Sequence, residues 1–286
     1  MHDIPAIIRD PKLFPLLRQA VERSDISPVV TSVKIKLTQR CNLRCAMCKY
    51  WRSKPGDELA GGEVLRVIDE MRQAGLRKVH FSGGELFTRP DAPQILCDAA
   101  ALGINVNLTT NGTLITPALA KRLVRGRIHS ISFSLDAPDA KTHNRIRGQA
   151  GAFEAVVGGA RLIDKERRKQ GRRVYIRINT VLQKRNYLLH AGMVDLAARL
   201  GAVELEPMPV DEKPARRKVG LSREQIEEYN QVVAPEVAAR RALRRRFLVE
   251  RLPVCGRCDD FRHENELLNR ALLPPQPVGD FATCHL

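Results

Sequence analysis

"KVHFSGGELFTRPDAPQILCDAAALGINVNLTTNG", residues 78–112, decides the fold. It opens on a strand-like run, "KVHFS" (78–82), which Gly83–Gly84 breaks. A helical stretch follows, "DAPQILCDAAALG" (91–103), with Gly103 as its stop. "INVNLTT" (104–110) is a second strand-like run, closed by the turn dipeptide Asn111–Gly112. Strand, crossover helix and strand in this order make a βαβ unit, which implies parallel strands and a right-handed crossover.

The same alternation extends in both directions. Upstream, "SVKIKL" (32–37) alternates like a strand, and residues 58–75 place Leu65, Ile68 and Met71 at helical spacing before Gly75. Downstream, Thr116 and Pro117 suit the N-cap and first position of a helix. Strand-like runs then cover 131–135, 173–182 and 202–210, with helical runs at 152–168 and 188–201 between them. Six strand–helix alternations predict an α/β fold, a partial (β/α)6 TIM-like barrel, with a flat doubly wound sheet as the alternative. Residues 1–30 read as an N-terminal helical extension, 31–210 as the barrel and 211–286 as a C-terminal helical extension. That extension begins as a charged linker and continues as a helical pattern from Ser222, interrupted by Pro235, before a cysteine-containing tail.

Apolar residues make up 43% of the 286, enough for a large core, which excludes an intrinsically disordered chain. The 48 Lys+Arg against 32 Asp+Glu give a net charge of +16, which favours an acidic partner such as nucleic acid, an acidic peptide or phosphate groups. Two basic runs, 161–173 and 239–251, read as exposed helix faces. No signal peptide and no apolar run of the ~20 residues a membrane span needs is visible, so a soluble, cytoplasmic protein is expected. In that compartment clustered cysteines serve as metal ligands or redox groups rather than as disulfides.

Three of the seven cysteines, Cys41, Cys45 and Cys48, fall inside "RCNLRCAMCKYW" (40–51). Soft thiolates favour an iron–sulfur cluster or zinc. Both ordinarily take four protein ligands, and no fourth cysteine or histidine lies near this loop in sequence. Three thiolates therefore suggest a metal centre with one position left open. The loop follows the first strand; "SGGE" (82–85), "TTNG" (109–112) and "SLD" (134–136) end the next three, and Asn179 lies towards the end of the fifth. In parallel βα folds functional groups gather at such strand ends.

"CNLRCAMC" after one strand and "FSGGE" after the next resemble the radical S-adenosylmethionine (SAM) superfamily, and "SISFSLDAP…HNRIRG" (130–148) resembles its branch with SPASM or twitch extensions. The resemblance implies a [4Fe–4S] cluster on Cys41, Cys45 and Cys48, with SAM chelating the fourth iron. Gly83, Gly84 and Glu85 would receive the SAM amino group, Ser134 its polar end, with Asn111 and Asp136 as neighbours and Met47 near the adenine. It further implies reductive cleavage of SAM, sensitivity to oxygen and a one-electron donor of flavodoxin or ferredoxin type. A peptide or small natural-product substrate is expected, with an RNA-modifying enzyme and a non-catalytic zinc-binding protein as alternatives. In the tail, Cys255, Cys258 and Cys284 resemble the start of a second, auxiliary iron–sulfur site; with His285 they would also suit zinc. Blander roles stay open: Ser134 and Asp136 as helix caps, Asn179 as a satisfied core polar group, Cys97 as core. Arg147 is open between a surface position and a contact to the SAM carboxylate or an acidic substrate.

Overall fold

Val79 and Phe81 alternate with Lys78, His80 and Ser82 along one strand, so one of its faces is apolar and the other polar. Every central strand repeats this division, and it sets the architecture. The computed structural model describes residues 11–23, 30–52, 56–243 and 249–250. After a helix α1 (Leu13–Glu22), six parallel strands lie side by side in chain order: β1 (Ser32–Thr38), β2 (Lys78–Gly83), β3 (Asn105–Thr110), β4 (Ser130–Ser134), β5 (Tyr175–Val181) and β6 (Glu204–Met208). A two-residue strand, β7 (Val249–Glu250), pairs with β6. Among the described residues β1 pairs with β2 alone, so the sheet stays open as a partial barrel.

The crossover helices are α2 (Gly61–Gln73), α3 (Ala92–Ala101), α4 (Pro117–Arg125), α6 (Ala152–Lys169) and α7 (His190–Arg199), with α5 (Ala140–Arg147) between β4 and α6. They share one core with the apolar strand face: Ile68, Leu96, Leu123, Ile163 and Val194 pack with Val79, Phe81, Leu108, Phe133 and Ile178. Phe81 and Phe133 are fully buried, each worth about 1.5–3 kcal/mol of hydrophobic stabilisation. The polar positions stand opposite. In register they run Lys34–His80–Asn107–Ser130–Tyr175, and one step further along lie Lys36, Ser82, Thr109, Ser132, Arg177 and Glu204.

Thr116 caps α4 as its sequence predicts, accepting from the Leu119 N–H, with Pro117 at the first position. Several local features differ from the sequence expectation. Helix α5 lies where only a motif was legible, because its single large apolar residue, Ile146, gives no periodic signal. Its N-cap is Asp139, which accepts from the Thr142 N–H, so neither Ser134 nor Asp136 plays that part. The expected linker after Asp211 holds a helix, α8 (Lys213–Val219). Pro235 does not interrupt the run from Ser222: α9 (Arg223–Glu228) passes through a π-helical turn (Tyr229–Val233) into α10 (Ala234–Ala242). Proline lacks the N–H that a regular turn needs, and the wider turn just before it absorbs the mismatch. Tyr229, Val233 and Val237 join the main core from this run. Cys97 is half-buried rather than core, with its thiol filling the space left by the missing side chain of Gly126. Arg167, in the first basic run, is largely buried and donates to Asp164, the Val174 carbonyl and the Gly201 carbonyl, so that run is not wholly a solvated face.

Candidate cofactor site at the strand ends

Where β1 ends, the chain is strapped to the end of β2. Gly84 N–H donates to the Thr38 carbonyl (2.8 Å) and Glu85 N–H to the Arg40 carbonyl (2.7 Å). The strap explains both glycines. Gly83 has φ +137°, a conformation that L side chains rarely adopt, and a methyl there would strike the Thr38 carbonyl. A methyl on Gly84 would lie 2.6 Å from the Arg40 carbonyl carbon and 2.8 Å from the Gln39 carbonyl oxygen. The close approach is therefore made by the backbone of residues 38–40, which carries the chain into the cysteine loop.

Glu85 is fully buried and fastens β2 to β3. Its carboxylate accepts from Thr110 Oγ1 (2.7 Å), the Asn111 N–H (2.7 Å) and the Phe87 N–H (3.2 Å). Burial pushes its carboxyl above the usual range, and the bonds from Asn111, Thr110 and Phe87 pull it back. Asn111 in turn donates from Nδ2 to Asn42 Oδ1 (2.8 Å) in the cysteine loop and accepts from both N–H and Oγ1 of Thr113. Two sequence-derived site residues, Glu85 and Asn111, thus hold three strand ends together.

The cysteine loop sits on a second, smaller apolar cluster of Leu43, Cys45, Met47, Ile146 and Val210, with Cys41 and Cys48 partly buried beside it. Its seat is the C-terminal end of α5. Ala46 N–H donates to the Ile146 carbonyl (3.1 Å), and Gly148, at φ +70°, leaves room for the Arg44 carbonyl. Trp51 Nε1 donates to the Cys45 carbonyl (3.0 Å) and clips the far side of the loop. Beside Cys48 a cleft of about 120 Å³ opens towards α8, where Lys49 pairs with Glu212 at 2.9 Å.

Arg147 proves to be a buried cation, neither on the surface nor free. Its Nε lies 2.8 Å from Asp136 Oδ2, and its Nη1 lies 3.8 Å from the Cys45 sulfur. Asp136, fully buried, also accepts from the Val181 N–H (2.9 Å). Burial works against the Arg147 charge, but Asp136 and Cys45 more than offset it, so the guanidinium stays protonated. Burial also raises the thiols: Cys41 reaches about 11, and Cys45 rises despite the opposing pull of Arg147. Cys41 is therefore a thiol at neutral pH, and metal binding there would release its proton.

Ser134 is paired in register with Asn179 at the ends of β4 and β5. Asn179 Oδ1 is buried with no hydrogen-bond partner among the described residues, so it is not the satisfied core polar group of the bland reading. The loop gathers the three thiols without closing them: no three Cys, His, Asp or Glu side chains stand in metal-holding geometry among the described residues. The donor set nevertheless suits a cluster, being three soft ligands on one braced loop with a buried cation to balance thiolate charge. Cys255, Cys258, Cys284 and His285 lie outside the described residues. No described helix is long and apolar enough to cross a membrane.

Sequence reasoning missed the parts played by Asn42, Thr113 and Arg147. Only Arg147 left a signal, within "HNRIRG".

Comparison with known proteins gives the family of the chain. Residues 35–183 match the model of the Radical SAM superfamily. The AdoMet-dependent heme synthase of Methanosarcina barkeri is 36% identical over 170 residues, 59% of this chain and 47% of that protein. The PqqA peptide cyclase of Granulibacter bethesdensis is 32% identical over 173 residues, 60% of this chain and 45% of that one. The chain thus spans about half the length of the curated relatives it matches. Streptococcus suis SuiB bound to S-adenosylmethionine shares the fold, with a TM-score of 0.67 at 17% identity over 85% of this chain and 55% of that one.

Proposed function

Because the chain belongs to the radical SAM superfamily, whose members use a [4Fe–4S] cluster and SAM, we propose that Cys41, Cys45 and Cys48 hold such a cluster and leave its fourth iron to SAM. When bound, that pair supplies reductive SAM cleavage and a 5′-deoxyadenosyl radical that removes hydrogen from a substrate. The observation that carries the reading is the cysteine loop itself: three thiols, strapped to Gly84 and Glu85, with buried Arg147 at 3.8 Å from one sulfur.

The protein's own residues have separable parts. Thr38, Gly83 and Gly84 fix where the loop leaves the sheet, and Glu85 and Asn111 lock the neighbouring strand ends. Arg147 and Asp136 keep the loop's inner wall charged and dry. Ser134 and the unpartnered Asn179 Oδ1 offer polar contacts to the polar end of SAM, and apolar Met47 lies beside Cys45 and Cys48 to meet its adenine. Cys255, Cys258 and Cys284 belong to the proposal as holders of an auxiliary iron–sulfur site. A flavodoxin- or ferredoxin-type protein would deliver the electron.

For substrate, a peptide or a small natural-product intermediate is the first reading, in keeping with relatives named for a peptide cyclase and a heme synthase. Anaerobic reconstitution followed by dithionite and SAM tests the whole. Protein with about four irons in its first cluster, releasing 5′-deoxyadenosine, is the expected result. Correctly reconstituted protein that is iron-free and inert towards SAM would refute it.

A further inference from the structure

We infer that the polar face of the sheet binds an anionic group of the substrate, a carboxylate or a phosphate, through Lys34, Lys36 and Lys78. The inference rests on the radical SAM reading for the identity of the ligand as substrate, but the site stands on its own geometry.

Lys34, Lys36 and Lys78 occupy polar-face positions of β1 and β2, and Lys34 and Lys36 are exposed. Among the described residues none of the three has a carboxylate within ion-pair distance. The carboxylates of the same face, Glu204 and Glu206, lie across the sheet on β6 and are engaged by Arg177 Nη2 at 2.6 and 3.4 Å. Among the described residues charge is therefore separated across the face, with cations that no carboxylate pairs on the β1–β2 side.

His80 reports the resulting field. It stands in register with Lys34 and is held by Thr109 Oγ1 at 2.8 Å. Burial, then Lys34, Lys78 and Arg177, push it down to about 4. It is therefore neutral at physiological pH and available as a hydrogen-bonding group beside an anion. Ser82, Thr109 and Ser132 continue the same face as uncharged hydroxyls.

Height along the strands fixes how a ligand would lie. Lys36 Nζ sits 5.3 Å from the centre of the Tyr50 ring, two residues past Cys48, which ties the upper lysine to the cofactor loop. Lys34 is two residues further from the strand end, about 7 Å lower. An acid group held there would leave the rest of a small polar molecule reaching up towards Ser134 and Asn179. Lysines are compact point charges and take carboxylate or phosphate alike.

The test is calorimetric titration of the reconstituted protein with glutarate as the carboxylate probe and pyrophosphate as the phosphate probe. At least one of the two should bind, and the tighter of them gives the class of anion the site favours. Lys34→Gln with Lys36→Gln should weaken that binding at least tenfold, whereas the matching Arg pair should keep it within threefold. Failure of both probes to bind the wild type more tightly than the Gln variant would overturn the inference. SAM cleavage by the wild type is scored separately: probe binding without any cleavage would sink the radical SAM mechanism and leave the anion site standing.

Discussion

Arg147→Met is the substitution that asks most of the structure. Arg147 is 7% exposed and Asp136 is 0% exposed, and their 2.8 Å contact forms a buried ion pair. Methionine fills much of the arginine stem, so packing changes little and the charge is what is removed. Breaking one partner of a buried pair typically costs about 3–5 kcal/mol, because the remaining charge has no compensation. Asp136 Oδ1 keeps the Val181 N–H, but Oδ2 faces a thioether in the variant. Adding Asp136→Asn removes that stranded charge and leaves one unsatisfied amide donor, a penalty of about 1–3 kcal/mol. The double variant should therefore be more stable than Arg147→Met alone by about 2 kcal/mol. Urea unfolding followed by circular dichroism reads both numbers on protein without iron. A loss below about 1 kcal/mol in the single variant, or no recovery in the double, would refute the buried-pair argument. A second consequence concerns the cysteine loop. At 3.8 Å, attraction between the guanidinium and a Cys45 thiolate is on the order of 4 kcal/mol at an effective dielectric of ~20. Both variants should thus retain less iron after gel filtration than the wild type.

Two further outcomes follow from other parts of the fold. Gly84→Ala forces a methyl against the Arg40 and Gln39 carbonyls and strains the two strap hydrogen bonds, for an expected loss of about 3–5 kcal/mol in urea unfolding; Gly62→Ala, with open space around it, should cost nothing. Acid should also destabilise the protein. His143 and His190 are buried, and burial is the first cause holding each to about 3, with Arg147 adding to it at His143. His143 Nδ1 accepts from the Asp136 N–H, which also requires the neutral ring. The unfolded chain gains protons below pH 6.5 while these two rings stay neutral, so stability is full above 6.5 and falls as pH drops towards 3. At pH 5 the loss is about 2 kcal/mol for each, or about 4 together, and equal urea midpoints at pH 7.5 and pH 5 would contradict it.

The βα rhythm was legible because it is written in periodicity: apolar positions every second residue in strands and every third or fourth in helices. Thr116 and Pro117 marked a helix start for an equally local reason. Helix α5 was not legible, since Ile146 is its only large apolar residue and the rest of what holds it, Asp139 and Gly148 at its ends and buried His143 and Arg147, is polar or glycine. Pro235 marked a disturbance in the helical run, but that the chain would absorb it as a π-helical turn, with Tyr229 and Val233 buried in the core, was not legible. At the site the cysteine spacing and "SGGE" announced themselves, whereas the Arg147–Asp136–Cys45 arrangement joins residues far apart in sequence and exists only once the chain is folded.

The two tiers of each strand have different freedoms to change. Thr38, Gly83, Glu85 and Thr110 sit at the strand ends in bonds that admit almost no other side chain, while on the face below Lys34 is exposed and Lys78 half-buried, neither in an ion pair among the described residues, and Lys36 reaches up to the Tyr50 ring. A point substitution at Lys34 or Lys78 alters the charge presented without touching the bonds of the upper tier. On the proposed reading, such a chain could exchange one substrate for another by single steps while the cofactor loop above is inherited intact. The open edge of the sheet allows more room for that drift than a closed eight-unit barrel would.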